Sequence, residues 1–325
     1  MSWQSSLSWE SAKARSAIIK NIRLFFEKRQ VIEVETPILS NGTITDVHLD
    51  AFTTRYNFLS DSSSEHPSPL YLNTSPEFAM KRLLASGYGC IYQICKAFRH
   101  EQYGRYHNPE FTMLEWYRLG YDHFDLMNEV AELLIDILNC PPCTKVSYQK
   151  IFIQHTGIDP LNVSKSELIE MIKSKDKMSI WLKDELDNDI LLQYIFSEII
   201  EPLIGIDAPC FIYNFPSSQA SLAKISKHDP RVADRFECYY EGIELVNGFH
   251  ELTDGKQQES RFIEDNKKRI SKGLPHRPID TNFINALSYG IPDCAGVAVG
   301  IDRLVMLTLK KKHINKVISF AIENA

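Results

Sequence analysis

Helical and β-prone stretches do not alternate along this chain; they fall into separate groups. Residues 11–30 place Ala14, Ala17, Ile18, Ile22, Phe25 and Phe26 at three- and four-residue steps, which predicts a helix with one apolar face. In residues 31–37, β-branched side chains alternate with carboxylates and Pro37 forces Thr36 extended, so this helix feeds a strand. Ser75-Pro76-Glu77 reads as a helix start, with Ser75 as N-cap and Pro76 first in the helix, running to about Ala85 and stopping near Gly87. Residues 60–69, rich in Ser and Pro, read as an exposed loop. Residues 91–98 and 110–118 are β-prone, and the polar loop from His100 to Pro109 suits two antiparallel strands with a mobile connection. Helices are expected at 124–138, twice within 164–201 with a break near Lys175 to Ser179, and at 256–272 and 280–289. Strands are expected near 210–214, 236–241 and 243–250, and Cys294 to Leu309 reads as a glycine-punctuated strand running into a helix. This grouping predicts an α+β fold, an antiparallel sheet with segregated helices. It argues against a doubly wound nucleotide fold, and neither a Walker A loop nor a Gly-x-Gly-x-x-Gly turn is present.

Composition narrows the function classes. At 325 residues the chain suits two domains or one large one, and 44% hydrophobic residues suffice for a core without disulfides. Seven irregularly spaced cysteines do not form a disulfide framework, which points to the cytoplasm. A net charge of −6 argues against a non-specific nucleic-acid groove. No signal peptide is apparent, and no apolar stretch reaches the roughly 18 residues of a membrane helix.

Three clusters can carry chemistry. In the first, Phe98-Arg99-His100-Glu101 precedes His107-Asn108-Pro109-Glu110-Phe111, which leads to Glu115-Trp116-Tyr117. A guanidinium at a strand end can grip phosphate by two parallel bonds, and Phe111 can stack on a base. Glu115 and Tyr117, two apart, face one side of a strand and suit an ammonium group. In the second, Glu244 and Glu251 would lie on opposite faces of a straight strand, and a bulge at Gly248 would bring them together. Two carboxylates near a polyphosphate suit Mg²⁺. In the third, small residues from Gly296 to Gly300 admit a ligand close to the backbone, and Arg303 opens a helix where the dipole disfavours it, which suggests another task. Taken singly, a solvated strand, a polar edge strand and a plain core strand account for these clusters as well.

Together the clusters resemble the three motifs of class II aminoacyl-tRNA synthetases: the first helix and strand ending at Pro37, Phe98-Arg99-x-Glu101 with the run to Tyr117, and Gly300-x-Asp302-Arg303. The lysyl branch is suggested by Ser75-Pro76-Glu77, Asn247-Gly248-Phe249-x-Glu251-Leu252 and Gly300-Ile301-Asp302-Arg303. The resemblance implies the class II catalytic fold, a mixed, mostly antiparallel sheet flanked by helices. It covers residues 1–325 as one catalytic domain, with about residues 1–10 as a flexible N-terminus.

Two departures stand out. No room is left for an anticodon-binding domain, and Ala298 takes the place of the middle glycine of Gly-x-Gly-x-Gly. Both resemble a paralogous branch that attaches (R)-β-lysine to a lysine side chain of translation elongation factor P, as does Phe215-Pro216-x-Ser218-Gln219-Ala220-Ser221-Leu222-Ala223.

The roles that follow are those the resemblance implies. Arg99 and Arg303 act in catalysis. Arg99, His100, Glu101, Asn108, Phe111, Glu244, Leu245, Gly300 and Arg303 bind ATP. Ser75, Pro76, Glu77, Glu115, Tyr117, Glu251 and Ala298 bind the amino acid, and Glu244 and Glu251 hold Mg²⁺. Elongation factor P is the implied acceptor rather than tRNA, and a homodimer through the first helix is implied. The rivals are a truncated lysyl-tRNA synthetase-like enzyme using α-lysine, an asparagine-synthetase-like paralogue, against which Glu115 and Tyr117 weigh, and a non-catalytic synthetase-like regulator.

Other features read as structural. Cys140-Pro-Pro-Cys143 lacks the second pair of a zinc site, and Lys310-Lys311-Lys312-His313 reads as a solvated helix end. His48, His123 and His155 have no partner visible in the sequence.

Overall fold

The computed structural model describes residues 3–56, 69–183 and 185–325. In chain order the elements begin with α1 (Trp9–Glu27), β1 (Ile32–Glu33), β2 (Leu39–Ser40), β3 (Thr53–Arg55), β4 (Pro69–Leu72) and α2 (Glu77–Ala85). Then come β5 (Ile91–Phe98), β6 (Glu110–Leu119), α3 (His123–Leu138), β7 (Thr144–Ser147), α4 (Tyr148–Thr156), α5 (Lys165–Ser174) and α6 (Asn188–Ile195). The remainder are β8 (Cys210–Pro216), β9 (Val232–Tyr240), β10 (Ile243–His250), α7 (Gly255–Ser271), α8 (Thr281–Tyr289), β11 (Cys294–Gly300) and α9 (Ile301–Thr308). The chain forms two compact units, Met1–Gly120 with Thr253–Ala325, and Tyr121–Leu252.

In the first unit four strands run in the order β1-β5-β6-β11, with β1 parallel to β5 and the other pairs antiparallel. Alternate residues of β5 and β6 face α1: Phe26 stacks on Tyr92 at 4.3 Å between centroids and meets Trp116 edge-on at 5.2 Å. Phe26 and Trp116 are fully buried, and burying one such ring stabilises by about 1.5–3 kcal/mol. Helix α1 therefore covers one face of these strands. Helices α2, α7 and α8 share an aromatic contact in which Phe78 stacks on Phe283 at 4.4 Å and lies 5.7 Å from Phe262. A small sheet in the order β2-β4-β3, which periodicity does not predict, completes the unit.

Asp302 pins three distant segments of this unit. Its buried carboxylate accepts from Thr112 N at 2.7 Å and pairs with Arg15 of α1 at 2.7 Å. Arg15 also donates to Thr112 Oγ1 at 2.8 Å. Asp302 lies in the first turn of α9, where an acid suits the dipole.

In the second unit β10-β9-β8-β7 are neighbours, antiparallel except that β7 runs parallel to β8. Helices α4, α5 and α6, with Phe196 in the turn after α6, pack a core of Tyr148, Phe152, Leu168, Ile172 and Leu191 against Ile212, Phe215 and Tyr239.

Several expectations need correcting. Ser75 does not occupy the N-cap position: Pro76 does, and Ser75 Oγ accepts from Glu77 N at 3.4 Å one residue earlier. The break within 164–201 is longer than expected, because Asp187 caps α6 and a 3₁₀ turn fills Ile180–Lys183. Strand β7 and helix α4 were not anticipated, Ser147 capping the helix through Lys150 N at 3.3 Å. Within the stretch expected as a flexible N-terminus, Ser5 Oγ and Ser6 N donate to Ser319 O at 2.7 and 3.2 Å, and α1 begins at Trp9. Of the expected loop 60–69, all but Pro69 lies outside the described residues, and Pro69 opens β4. Helix α9 ends at Thr308, so Lys310, Lys311 and Lys312 follow it, exposed. Among the described residues no helix is long and apolar enough to cross a membrane.

Candidate active site

The register of β5, β6 and β11 lays out a face in rows. Gln93 pairs with Glu115 and Glu115 with Ala298; Cys95 pairs with Met113 and Met113 with Gly300; Ala97 pairs with Phe111. Cross-strand partners and alternate residues share a face. Tyr117, Glu115, Ala298, Cys95, Gly300 and Phe111 therefore line the side opposite α1. Tyr117 Oη donates to Glu115 Oε1 at 2.6 Å, and both side chains are buried. The phenol thus orients a carboxylate at the foot of this face. Burial, with the Glu115 charge added to it, pushes the Cys95 thiol up to about 12, so the thiol stays protonated. Ala298 directly neighbours Glu115, so its methyl occupies the floor beside that carboxylate.

Arg99 follows the last residue of β5, and its backbone N donates to Pro109 O at 2.9 Å. Its guanidinium lies 5.2 Å above the Phe111 ring, at the opposite end of the face from Tyr117. The loop that follows is tied to distant segments of the chain. Gly104 N donates to His107 O at 3.0 Å, Arg105 Nε to Lys312 O at 2.9 Å, and Ile314 N to Arg105 O at 3.0 Å. Asn108 is buried, donating to Glu110 O at 2.6 Å and accepting from Ile322 N at 3.0 Å, so its amide ties the loop to the C-terminal segment. Arg303 sits on the same loop: its Nε donates to Tyr106 O at 3.3 Å and an Nη lies 2.7 Å from His107 Nε2. A Cβ at Gly300 would lie 3.6 Å from Arg303 Cδ. Glu101 is exposed, and His100 Nδ1 lies 3.4 Å from Asp50 Oδ2.

At the start of α2, Glu77 Oε1 accepts from Lys81 Nζ at 2.6 Å; the lysine is buried beneath it. The Glu77 carboxylate is thus held by its own helix, its charge matched by Lys81.

The second unit carries the acidic residues. Glu244 pairs with Tyr239 and Val246 with Cys238, so a bulge lies between Glu244 and Val246. The extra residue is Leu245, and it inverts the facing of everything before it. Glu244 consequently shares a face with Asn247, Phe249 and Glu251, the outcome expected of a bulge, but at Leu245 and not at Gly248. Gly248 serves another need: a Cβ there would sit 2.3 Å from Phe236 Cζ, so only glycine admits that ring.

Sequence reasoning missed Glu237, which lies on the same face as Glu244. It accepts from Tyr239 Oη and from Arg235, itself bonded to Gln219 O at 2.7 Å. Burial raises the Glu237 carboxyl above the ordinary range; Arg235 draws it down and the Glu244 charge raises it again. Alternation along β9 was the available signal. Oxygen donors on the buried Glu237 and the half-buried Glu244 beside it fit a hard divalent cation, which would relieve the repulsion of like charges.

This sheet face, with an arginine and an aromatic at one end, a buried Glu–Tyr pair at the other and a Gly-x-Asp-Arg helix start, is that of a class II synthetase catalytic fold. A family model described as tRNA synthetases class II (D, K and N) matches residues 3–324, and the chain belongs to that family. The chain is 53% identical over 323 residues to the elongation factor P–(R)-β-lysine ligase of Salmonella typhi, covering 99% of this chain and 98% of the relative. The proteins of the same name from Salmonella arizonae and Salmonella paratyphi B match at the same identity and coverage.

Proposed function

We propose that this protein is an ATP-dependent ligase that activates (R)-β-lysine as an adenylate and joins it to a lysine side chain of elongation factor P in the cytoplasm. The observation that carries this reading is the buried Glu115–Tyr117 pair with Ala298 in register beside it. A carboxylate aimed by a phenol suits the side-chain ammonium, and a methyl in the floor reshapes the space around the remaining substrate atoms.

In the first step a carboxylate oxygen of β-lysine attacks the α-phosphorus of ATP and pyrophosphate leaves. In the second, the acceptor lysine amine attacks the adenylate carbonyl, loses its proton, and AMP departs. Arg99 stabilises the charge that grows on the α-phosphate, Phe111 stacks on adenine, and Arg303 reaches the phosphate tail from the other side of the base. Backbone at Leu245 and Gly300, with His100, Glu101 and Asn108, completes the ATP contacts. Ser75, Pro76 and Glu77 receive the substrate amine. Glu244 and Glu251, joined by Glu237, would hold Mg²⁺, which supplies charge neutralisation on the phosphates. Positioning and electrostatics carry both steps, so no protein nucleophile is needed. The active form is a homodimer through α1.

The decisive experiment supplies labelled β-lysine or α-lysine, ATP, and either elongation factor P or tRNA. Label should enter elongation factor P, from β-lysine. Label entering tRNA would overturn the proposal, and absence of ATP–pyrophosphate exchange with either amino acid would favour the regulator.

Two variants refine it. Ala298→Gly should raise the rate of α-lysine activation relative to β-lysine in pyrophosphate exchange; an unchanged ratio removes the methyl from the selectivity argument. Glu237→Gln should raise the Mg²⁺ concentration needed for half-maximal exchange by about tenfold, since one buried charge-assisted ligand is worth about 1.5 kcal/mol or more. A Mg²⁺ titration identical to that of the parent protein would take Glu237 out of the set.

A further inference from the structure

The reverse face of β9 and β10 carries a group of side chains that the ligase reaction does not use. Gly248 pairs with Phe236 and Phe249 with Arg235, so Asp234 and His250 lie on the Phe236 side, away from Glu237 and Glu244. Helix α3 begins with His123 against β9 and β10, its N-terminus capped by Asp122. One imidazole nitrogen from each histidine and a carboxylate oxygen of Asp234 lie within 4.8 Å of one another. His250 Nδ1 stands 3.7 Å from Asp234 Oδ2.

His123 supplies the independent observation. It is only 5% exposed. Its Nε2 lies 3.2 Å from Asn214 Oδ1, and since an amide oxygen only accepts, that nitrogen carries the proton. Nδ1 therefore keeps its lone pair, yet it is fully buried with no hydrogen-bond partner. A histidine with one N–H fixed by a carbonyl-type oxygen and its other nitrogen buried and bare has the arrangement of a metal ligand.

We propose that His123, Asp234 and His250 form a binding site for a divalent transition-metal ion of the zinc type, separate from the acidic face. Two imidazoles and one carboxylate are a zinc donor set, and bonds of about 2.0–2.1 Å place tetrahedral ligands about 3.3 Å apart, so the cluster needs only a modest contraction. The bound ion clamps the start of α3 to β9 and β10. One group opposes it: Lys224 Nζ lies 3.1 Å from His250 Nε2. Ligation through His250 Nδ1 leaves Nε2 protonated and facing an ammonium, so ion entry displaces Lys224. Asp122 adds negative charge near His123, and the Ser226 hydroxyl bonds Asp234.

The test uses the full chain, stripped with chelator and titrated with Zn²⁺ by calorimetry and with Co²⁺ by visible absorption. One Zn²⁺ per chain is expected, with Co²⁺ giving the bands of a four-coordinate site. His123→Gln and Asp234→Asn should each weaken binding at least about tenfold. Lys224→Met should tighten it, and Glu244→Gln should leave it unchanged. Zn²⁺ should raise the melting temperature of the parent protein but not of His123→Gln, which reports on binding even where a variant is less stable. Failure of both the parent protein and Lys224→Met to bind Zn²⁺ would overturn the proposal. So would binding that persists undiminished in His123→Gln or disappears in Glu244→Gln.

Discussion

Replacing Arg99 with methionine will lower the turnover of ATP–pyrophosphate exchange about 10²- to 10³-fold, the usual loss when one donor to a developing oxyanion is removed. Methionine keeps an apolar stem above Phe111, where the guanidinium now lies 5.2 Å from the ring centre, so folding should survive. The KM for β-lysine should change little, because the Glu115–Tyr117 pair sits at the other end of the face. Arg99→Lys should recover only part of the rate, since a point charge cannot reproduce a planar fork. The measurement is steady-state exchange with a thermal melt as control. Near-normal turnover in a folded Arg99→Met protein would remove Arg99 from the chemistry.

Glu115→Gln should act on binding instead. Tyr117 can still donate to the amide oxygen, so the geometry is kept while the charge is lost. A hydrogen bond to a charged group is worth about 1.5–3 kcal/mol, so the KM for β-lysine should rise about 10- to 100-fold. The protein itself should be no less stable, because a buried carboxylate becomes a neutral amide. A second readout is independent of catalysis. The Glu115 charge helps burial to hold the Cys95 thiol near 12, so its removal should lower that value and speed alkylation of Cys95. Unchanged KM together with unchanged thiol reactivity would show that Glu115 does not carry the charge assigned to it.

Much of the ligand-facing side was legible because strand parity is local. Glu115 and Tyr117 are two apart, and two-residue alternation alone puts them together. The same arithmetic could not locate the bulge. Glu244 and Glu251 required an inversion somewhere between them, and Gly248 was the obvious candidate, but the ring of Phe236 had already claimed that position. The inversion falls at Leu245, where β10 meets β9, and only the pairing reveals it. Glu237 was overlooked for the same reason: its neighbour Glu244 is on another strand.

The loop after Arg99 is held by contacts that are remote in the chain. Its polar composition suggests motion, yet it is tied to residues 312–322, more than 200 positions away. Asp302 likewise reads as part of a motif, whereas its carboxylate is spent joining α1 to β6 through Arg15 and Thr112.

By itself the sequence determined the kinds of element, their approximate limits and the motifs that mark the family, since helix and strand periods, caps and prolines act over a few residues. The tertiary structure alone decided the site of the bulge, the place of Glu237 beside Glu244, the anchoring of the Arg99 loop, and the meeting of His123 with Asp234 and His250. Each of these depends on register or on contacts between residues far apart in the chain, and such contacts leave no period in the sequence.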